Sequence, residues 1–267
     1  MTRLGQHFLS DRNLLRKIVA ALDPQADDVV IEIGPGTGNL TNILAPHIKQ
    51  VIAIETDRRL AAELQGRGTG EGGRVDVVEG DALALDWHAL VAPVPRPPSL
   101  LPFKVIGNIP YYITSPLIEK ALTPPLPMRI VFLVQREVAD RLAAEPGGKR
   151  YGALSVGVQA VCRVEKLFVV KAGAFRPAPQ VDSAVVRFTP RDDPAIAPEE
   201  TAAFRTFVTS CFSRRRKQLR NAVMAATHWP AAAVSTLLVA LGLDPIVRPE
   251  TLRPEDFARL LRATRQL

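Results

Sequence analysis

The chain has 267 residues, 47% of them hydrophobic and 23% charged, enough apolar material for one large domain with a small one beside it. A formal net charge of +7 favours an anionic partner. The two cysteines, Cys162 and Cys211, exclude a disulfide framework and a thiolate zinc site, and His7, His47, His88 and His228 lack metal-ligand spacing. Without a membrane-span or signal-peptide pattern, a reducing, cytoplasmic setting is expected.

In chain order, a polar opening leads into a helix pattern over 11–22. The apolar run Val29-Val30-Ile31-Glu32-Ile33 then enters a glycine turn, Gly34-Pro35-Gly36-Thr37-Gly38, before a second helical pattern. Glycines there let the backbone approach a ligand and turn sharply into the helix. Asn39 stands where a dinucleotide fingerprint has its third glycine, so a pyrophosphate cradle is disfavoured. A strand over 50–54 ends at Glu55, where Rossmann-like folds place an acid on ribose hydroxyls. Another, over 75–78, ends in Glu79-Gly80-Asp81, whose last acid suits an adenine amine. Asp57 and Asp81 also precede helical patterns, where capping is an ordinary role for an acid.

A fourth strand, over 104–107, delivers Asn108-Ile109-Pro110-Tyr111 to its carboxyl end, the ligand-binding edge of open α/β sheets. The exocyclic amine of adenine is a poor nucleophile because its lone pair is delocalised into the ring. An Asn side-chain oxygen and a backbone carbonyl accepting its two N–H bonds favour a pyramidal nitrogen aimed at an electrophilic methyl group. Proline holds the turn and the aromatic ring offers a face for the base. Asn and Pro also favour ordinary turns, so the motif draws its weight from the three acidic or glycine-bearing strand ends before it.

Strands alternate with helical patterns through Val134, the signature of a parallel α/β sheet. Late strands over 167–170 and 184–188 imply a hairpin-like sheet edge, with a Phe175-Pro177-Pro179 loop between them. Residues 190–198 form a proline-punctuated linker, followed by helix patterns over 199–212, 215–226, 231–241 and 254–265. From Phe204 to Leu243 there is no Asp or Glu, while Arg205, Arg214, Arg215, Arg216, Lys217 and Arg220 crowd the start of that stretch. Beside Phe207 and Phe212 this run reads as a phosphate-contacting surface; a solvated helix face is the ordinary alternative. The glycine-rich 66–74 and proline-rich 93–102 connections carry no assigned function.

Taken together, these segments resemble the S-adenosylmethionine-dependent small-subunit ribosomal RNA adenine dimethyltransferases. The likeness runs nearly end to end and includes Leu4-Gly5-Gln6-His7-Phe8-Leu9, Tyr151-Gly152-Ala153-Leu154-Ser155-Val156 and the segment from Phe175 through Val181-Asp182-Ser183-Ala184-Val185-Val186. It implies an α/β fold: a Rossmann-like methyltransferase sheet in a catalytic domain over 1–190 and a small all-helical, RNA-positioning domain over 198–267. His7, where other members carry Asn, and Leu9 are implied at the methionine end of the cofactor. Gly34 lies beside its amino-acid portion, Glu55 on the ribose, Asp81 on the adenine, and Asn108 between cofactor and target base. Tyr111 is the expected platform for that base and Phe175 the clamp on its other face; core packing is the plain alternative for Phe175, although its proline-rich surroundings favour an exposed loop. Arg214, Arg215, Arg216, Lys217 and Arg220 are the expected RNA contacts.

The implied activity is N6,N6-dimethylation of two adjacent adenosines in the 3′-terminal hairpin of small-subunit (16S) ribosomal RNA during ribosome maturation, by a cytoplasmic monomer with no membrane, DNA or metal requirement. The related large-subunit enzyme of macrolide resistance shares the cofactor site and the Asn-Ile-Pro-Tyr motif. The segments 151–156 and 181–186 look more like the small-subunit enzymes. A non-catalytic RNA-binding assembly factor is the alternative from another class, and intact Asn108 and Tyr111 argue against a dead site.

Overall fold

A computed structural model describes residues 7–66, 74–92, 103–213 and 217–265. Its elements run β1 (Phe8–Leu9), α1 (Arg12–Leu22), β2 (Val29–Ile33), α2 (Thr41–Leu44), β3 (Gln50–Glu55), α3 (Arg58–Gly66), β4 (Val75–Glu79), α4 (Trp87–Val91), β5 (Phe103–Asn108), α5 (Thr114–Ala121), β6 (Arg129–Gln135) and α6 (Arg136–Leu142). Then come α7 (Ala153–Gln159), β7 (Cys162–Val170), β8 (Phe175–Arg176), β9 (Ser183–Pro190), α8 (Thr201–Ser213), α9 (Leu219–Thr227), α10 (Ala231–Ala240) and α11 (Pro254–Arg265).

The sheet has seven strands in the order β4-β3-β2-β5-β6-β9-β7. From β4 to β6 the pairs are parallel, and β9 joins β6 antiparallel. The central strands are buried along nearly their whole length, which requires continuous apolar runs rather than alternation: VVIEI in β2, FKVIGN in β5, RIVFLVQ in β6. The chain winds one way from β2 to β4 and the other way from β5 onward, so a crevice opens at the carboxyl ends of β2 and β5. That is where open α/β sheets bind ligands. The late strands do form the sheet edge, with β7 outermost beside β9.

Helix α1 starts where Asp11 accepts the N–H groups of Asn13 and Leu14, and it buries Leu15, Ile18, Val19 and Leu22 at helical spacing. It ends at Asp23 in a left-handed conformation. At the amino end of β5, buried Lys104 reaches Asp28 Oδ2 and the Asp23 carbonyl, both at 2.6 Å. These partners satisfy a charge that could not otherwise stay inside, without adding much net stability.

A two-stranded pair was not evident from the sequence. β1 and β8 run antiparallel, with Phe8 opposite Arg176 and Leu9 opposite Phe175. Strands this short have no readable alternation, and they come from opposite ends of the sheet domain's sequence, which hides the pairing from any local pattern.

By contacts the chain divides into two units. One is Met1–Ala139 with Glu165–Pro190; the other is Asp140–Val164 with Arg191–Leu267. One break follows Pro190, and 140–164, whose last residues begin β7, groups with the helices of the second unit. In this second unit Tyr151 is fully buried, donates to the Leu252 carbonyl at 3.0 Å, and packs edge-on to Phe212, which lies against Phe257. A helix-loop segment taken from mid-chain thus completes the helical core, so the unit is discontinuous in sequence. No single helix among the described residues is long and apolar enough to cross a membrane.

Candidate active site

The carboxyl ends of β2, β3 and β5 surround a cavity of about 190 Å³. Its wall includes His7, Gly34, Glu55, Asp81, Asn108 and Tyr111, six of the residues expected from the sequence. Leu9 is not among them. It is 5% exposed and borders a smaller neighbouring cavity, its carbonyl taken by the Asn39 side-chain amide at 2.9 Å. Asn39, the residue that breaks the dinucleotide fingerprint, therefore ties the opening segment to the glycine turn.

That turn is held by Glu55, which is 3% exposed. Its Oε2 accepts the Gly36 N–H at 3.0 Å and its Oε1 the Asp57 N–H at 2.9 Å, leaving each oxygen a further lone pair. Gly34 and Gly36 sit at φ +65° and +56°, and a Cβ on Gly36 would lie 2.8 Å from the Phe8 ring. Only glycine keeps this cradle open. Asp81 borders the cavity while its Oδ1 accepts the Leu83 N–H at 2.9 Å and so caps the following turn.

Asn108 closes β5 and donates from Nδ2 to the His7 carbonyl at 2.8 Å. A carbonyl can only accept, so this bond fixes which end of the amide is NH₂, and Oδ1 is left as an acceptor with no protein donor among the described residues. The His7 ring is anchored in turn. Its Nδ1 lies 2.7 Å from the Pro177 carbonyl, which requires the proton on Nδ1, and its ring centroid is 5.8 Å from that of Tyr111. Tyr111 is fixed through its hydroxyl, 2.8 Å from Ser183 Oγ. Burial raises the pKa of that phenol above its ordinary value, so it stays neutral.

Two expectations need correction. Phe175 is not a clamp open to the cavity: it is 1% exposed and belongs to the core with Leu9, Ile18, Leu133 and Val185, because β8 pairs with β1 and turns its ring inward. The prolines near it shape the segment 177–182 instead. The aromatic neighbours of the basic run are likewise structural, with Phe207 7% exposed and Phe212 stacked on Phe257. Of that run, Arg214, Arg215 and Arg216 lie outside the described residues, Lys217 is exposed, and Arg220 is half-buried with an Nε that lacks a hydrogen-bond partner.

Sequence reading gave no role to Glu32, Ser183 or Asn39. Glu32 is 1% exposed in mid-strand, its Oε2 has no hydrogen-bond partner, and it borders the smaller cavity with Gly34 and Asn108. Burial pushes its carboxyl up to about 7, partly offset by nearby Thr41 and assisted by the charge of Glu55. The signal was there in principle: a lone acid inside a strand buried on both faces has to have a reason.

A family model described as ribosomal RNA adenine dimethylase matches residues 1–262. The chain belongs to the ribosomal RNA adenine dimethylase family. It is 43% identical over 262 residues to the ribosomal RNA small subunit methyltransferase A of Nitrosococcus oceani, covering 97% of this chain and 94% of that protein. The corresponding enzyme of Geobacillus thermodenitrificans is 42% identical, covering 97% and 89%. Among solved structures, a dimethyladenosine transferase from Plasmodium falciparum superposes with a TM-score of 0.80 at 31% identity, covering 97% of this chain and 98% of that one. The 23S rRNA methyltransferase ErmE gives 0.73 at 28%, covering 97% and 100%.

The protein is thus an S-adenosylmethionine-dependent ribosomal RNA adenine methyltransferase with a Rossmann-like sheet. The residues present fit that cofactor. Glu32 Oε2 is an orphaned buried oxygen suited to an ammonium group, Glu55 keeps lone pairs for hydroxyls, and the Gly36 cradle holds only because no Cβ fills it.

Proposed function

We propose that the protein dimethylates N6 of two adjacent adenosines in the 3′-terminal hairpin of small-subunit ribosomal RNA, acting as a cytoplasmic monomer on small ribosomal subunits. The observation that carries the chemistry is the Asn108 amide, whose orientation is set by the His7 carbonyl so that Oδ1 remains an acceptor. Support for the small-subunit substrate comes from relatives so named at 42–43% identity, against 28% for the 23S enzyme.

S-adenosylmethionine, when bound, supplies an electrophilic methyl group on a sulfonium centre. Glu32 would face its ammonium, Glu55 its ribose hydroxyls and Asp81 its adenine, with Gly34 and Gly36 beside the amino-acid portion. The target adenine leaves its stack, at a cost on the order of a few kcal/mol, and lies against Tyr111. Asn108 Oδ1 and the Ile109 carbonyl each accept one N6 proton, which draws the lone pair out of ring conjugation. Both acceptors sit on β5 or directly after it, with the Ile109 N–H tied to the Leu133 carbonyl at 3.0 Å, so the pair is rigid before substrate arrives. No basic side chain is needed beforehand, since a methylated ammonium sheds its proton readily to water. After one transfer the remaining N–H still finds an acceptor, which permits the second.

The test is to incubate the protein and labelled cofactor with unmethylated small subunits, large subunits and duplex DNA, then map the modified base. Label on two neighbouring adenosines of the small-subunit RNA supports the reading. Label confined to large subunits overturns it in favour of the 23S-type activity.

A further inference from the structure

The turn after β5 carries a second tyrosine that the mechanism above does not use. Tyr112 borders the cavity yet is 63% exposed, among the most exposed large hydrophobic side chains of the described residues. Its hydroxyl has no partner among those residues, whereas that of Tyr111 is tied to Ser183. Its backbone is fixed on both sides: the Ile113 N–H bonds to the Pro110 carbonyl at 3.2 Å, and Thr114 Oγ1 donates to the carbonyls of Pro110 and Tyr111 at 3.3 and 3.2 Å. The two adjacent rings therefore differ in kind, one built into the wall and one standing in water at the rim on a rigid turn.

An aromatic ring held in water at the mouth of the active-site cavity has a physical use in this reaction. Drawing one adenine out of its stack strips the neighbouring base of a stacking partner and opens one of its faces to water. A ring just outside the cavity can cover that face. We propose that Tyr112 is the stacking platform for the nucleobase adjacent to the target adenosine, so that the two tyrosines hold consecutive bases, Tyr111 the one being methylated and Tyr112 its neighbour. This rests on the reading of the substrate as adjacent adenosines. Because the contact exists before and during methyl transfer, it acts on RNA affinity rather than on the chemical step. The ring matters and the unpartnered hydroxyl does not.

The experiment measures steady-state methylation of unmethylated small subunits by wild type, Tyr112→Ala, Tyr112→Leu, Tyr112→Phe and Tyr112→Trp. Titration of S-adenosylmethionine checks that each variant retains its cofactor site. Loss of one base–aromatic stack corresponds to about 5- to 150-fold in affinity. Tyr112→Ala and Tyr112→Leu should raise KM for the subunit within that range while kcat changes far less, and Tyr112→Phe and Tyr112→Trp should restore KM. A second arm uses a hairpin in which 2-aminopurine replaces one of the two adenosines. That analogue lacks the N6 amine, so the remaining adenosine takes the Asn108 position and the fluorescent base becomes the neighbour. Its fluorescence should be quenched on binding wild type and much less on binding Tyr112→Ala. Equal KM and equal quenching for wild type and Tyr112→Ala would overturn the platform, as would a Tyr112→Phe variant as impaired as Tyr112→Ala. Wild type inactive on small subunits but active on large ones would overturn the substrate assignment and this proposal with it, a result distinguishable from the others by the wild-type lane alone.

Discussion

Glu32→Gln should make the cofactor-free protein more stable and weaken its hold on the cofactor, and the size of the first effect follows from burial. The Glu32 carboxyl is pushed up to about 7 from an ordinary 4.5, with desolvation the largest cause. The folded state therefore holds its proton more tightly than the unfolded chain does. The stability linked to that proton is fully present below pH 4.5 and is lost as pH rises through 7, most of it between pH 5 and 7. At 1.36 kcal/mol per pH unit, the ionised carboxylate at pH 8 destabilises the fold by about 3 kcal/mol. Gln keeps the shape and never ionises. At pH 8 the cofactor-free variant should thus exceed wild type by up to about 3 kcal/mol, and the two should converge near pH 4.5. S-adenosylmethionine should narrow that gap: its ammonium would pair with the Glu32 carboxylate, an interaction worth about 1.5–3 kcal/mol that the amide cannot match. Urea denaturation at pH 5 and pH 8, with and without cofactor, reads all four values. Parallel pH dependences for wild type and Glu32→Gln would refute the buried-acid argument, and equal stabilisation of both by cofactor would remove Glu32 from the site.

Replacing Asn108 by Ala should cut turnover by about 10²-fold or more, as for removal of a transition-state hydrogen-bonding group, with calorimetric cofactor affinity changing far less. In Glu55→Ala the anchors of Gly36 and Asp57 disappear together with the proposed ribose contacts, so cofactor binding should weaken by about 1.5–3 kcal/mol or more, measured by the same titration. For Gly36→Ala, a left-handed residue and a Cβ 2.8 Å from Phe8 should reduce cofactor affinity and lower the melting temperature together. Changing Arg214, Arg215, Arg216 and Lys217 to Gln should weaken binding to small subunits and flatten its salt dependence by roughly 0.7–0.9 for each phosphate no longer neutralised, read by titration at several salt concentrations; equal slopes would assign the cluster to a solvated helix face.

The parallel strands were legible because each is a short apolar run closed by a turn residue, and β2, β3, β4 and β5 lie where those runs are. Helix α11 was marked at its start by Pro254 and two acids in the first turn. The cavity wall was legible for the same local reason, since Gly34, Glu55, Asp81 and Asn108 each terminate or follow a strand and all four line the cavity. What sequence could not supply was anything created by pairing across long distances. Phe175 read as an exposed clamp because its prolines signal a loop, yet pairing with Leu9 puts it in the core. Likewise 140–164 sits between sheet strands in the chain but packs with helices, through contacts such as Tyr151 with Leu252 that lie 101 residues apart.

The same long-range pairing bears on the acceptor that the chemistry requires. An isolated Asn at the end of a strand can present either its oxygen or its NH₂ to a ligand, and only the oxygen can accept an adenine proton. The His7 carbonyl decides between them, 101 residues away in sequence. That carbonyl is held where it is by its neighbours on either side: the His7 ring bonds to the Pro177 carbonyl, Phe8 pairs with Arg176, and the Leu9 carbonyl is fixed by Asn39. The opening segment is therefore more than a cover over the cofactor cavity. Through hydrogen bonds from Asn39 and from the chain at and just after β8, it sets the polarity of the Asn108 amide, so loss of the Asn39 side chain should act on that amide without touching either ligand.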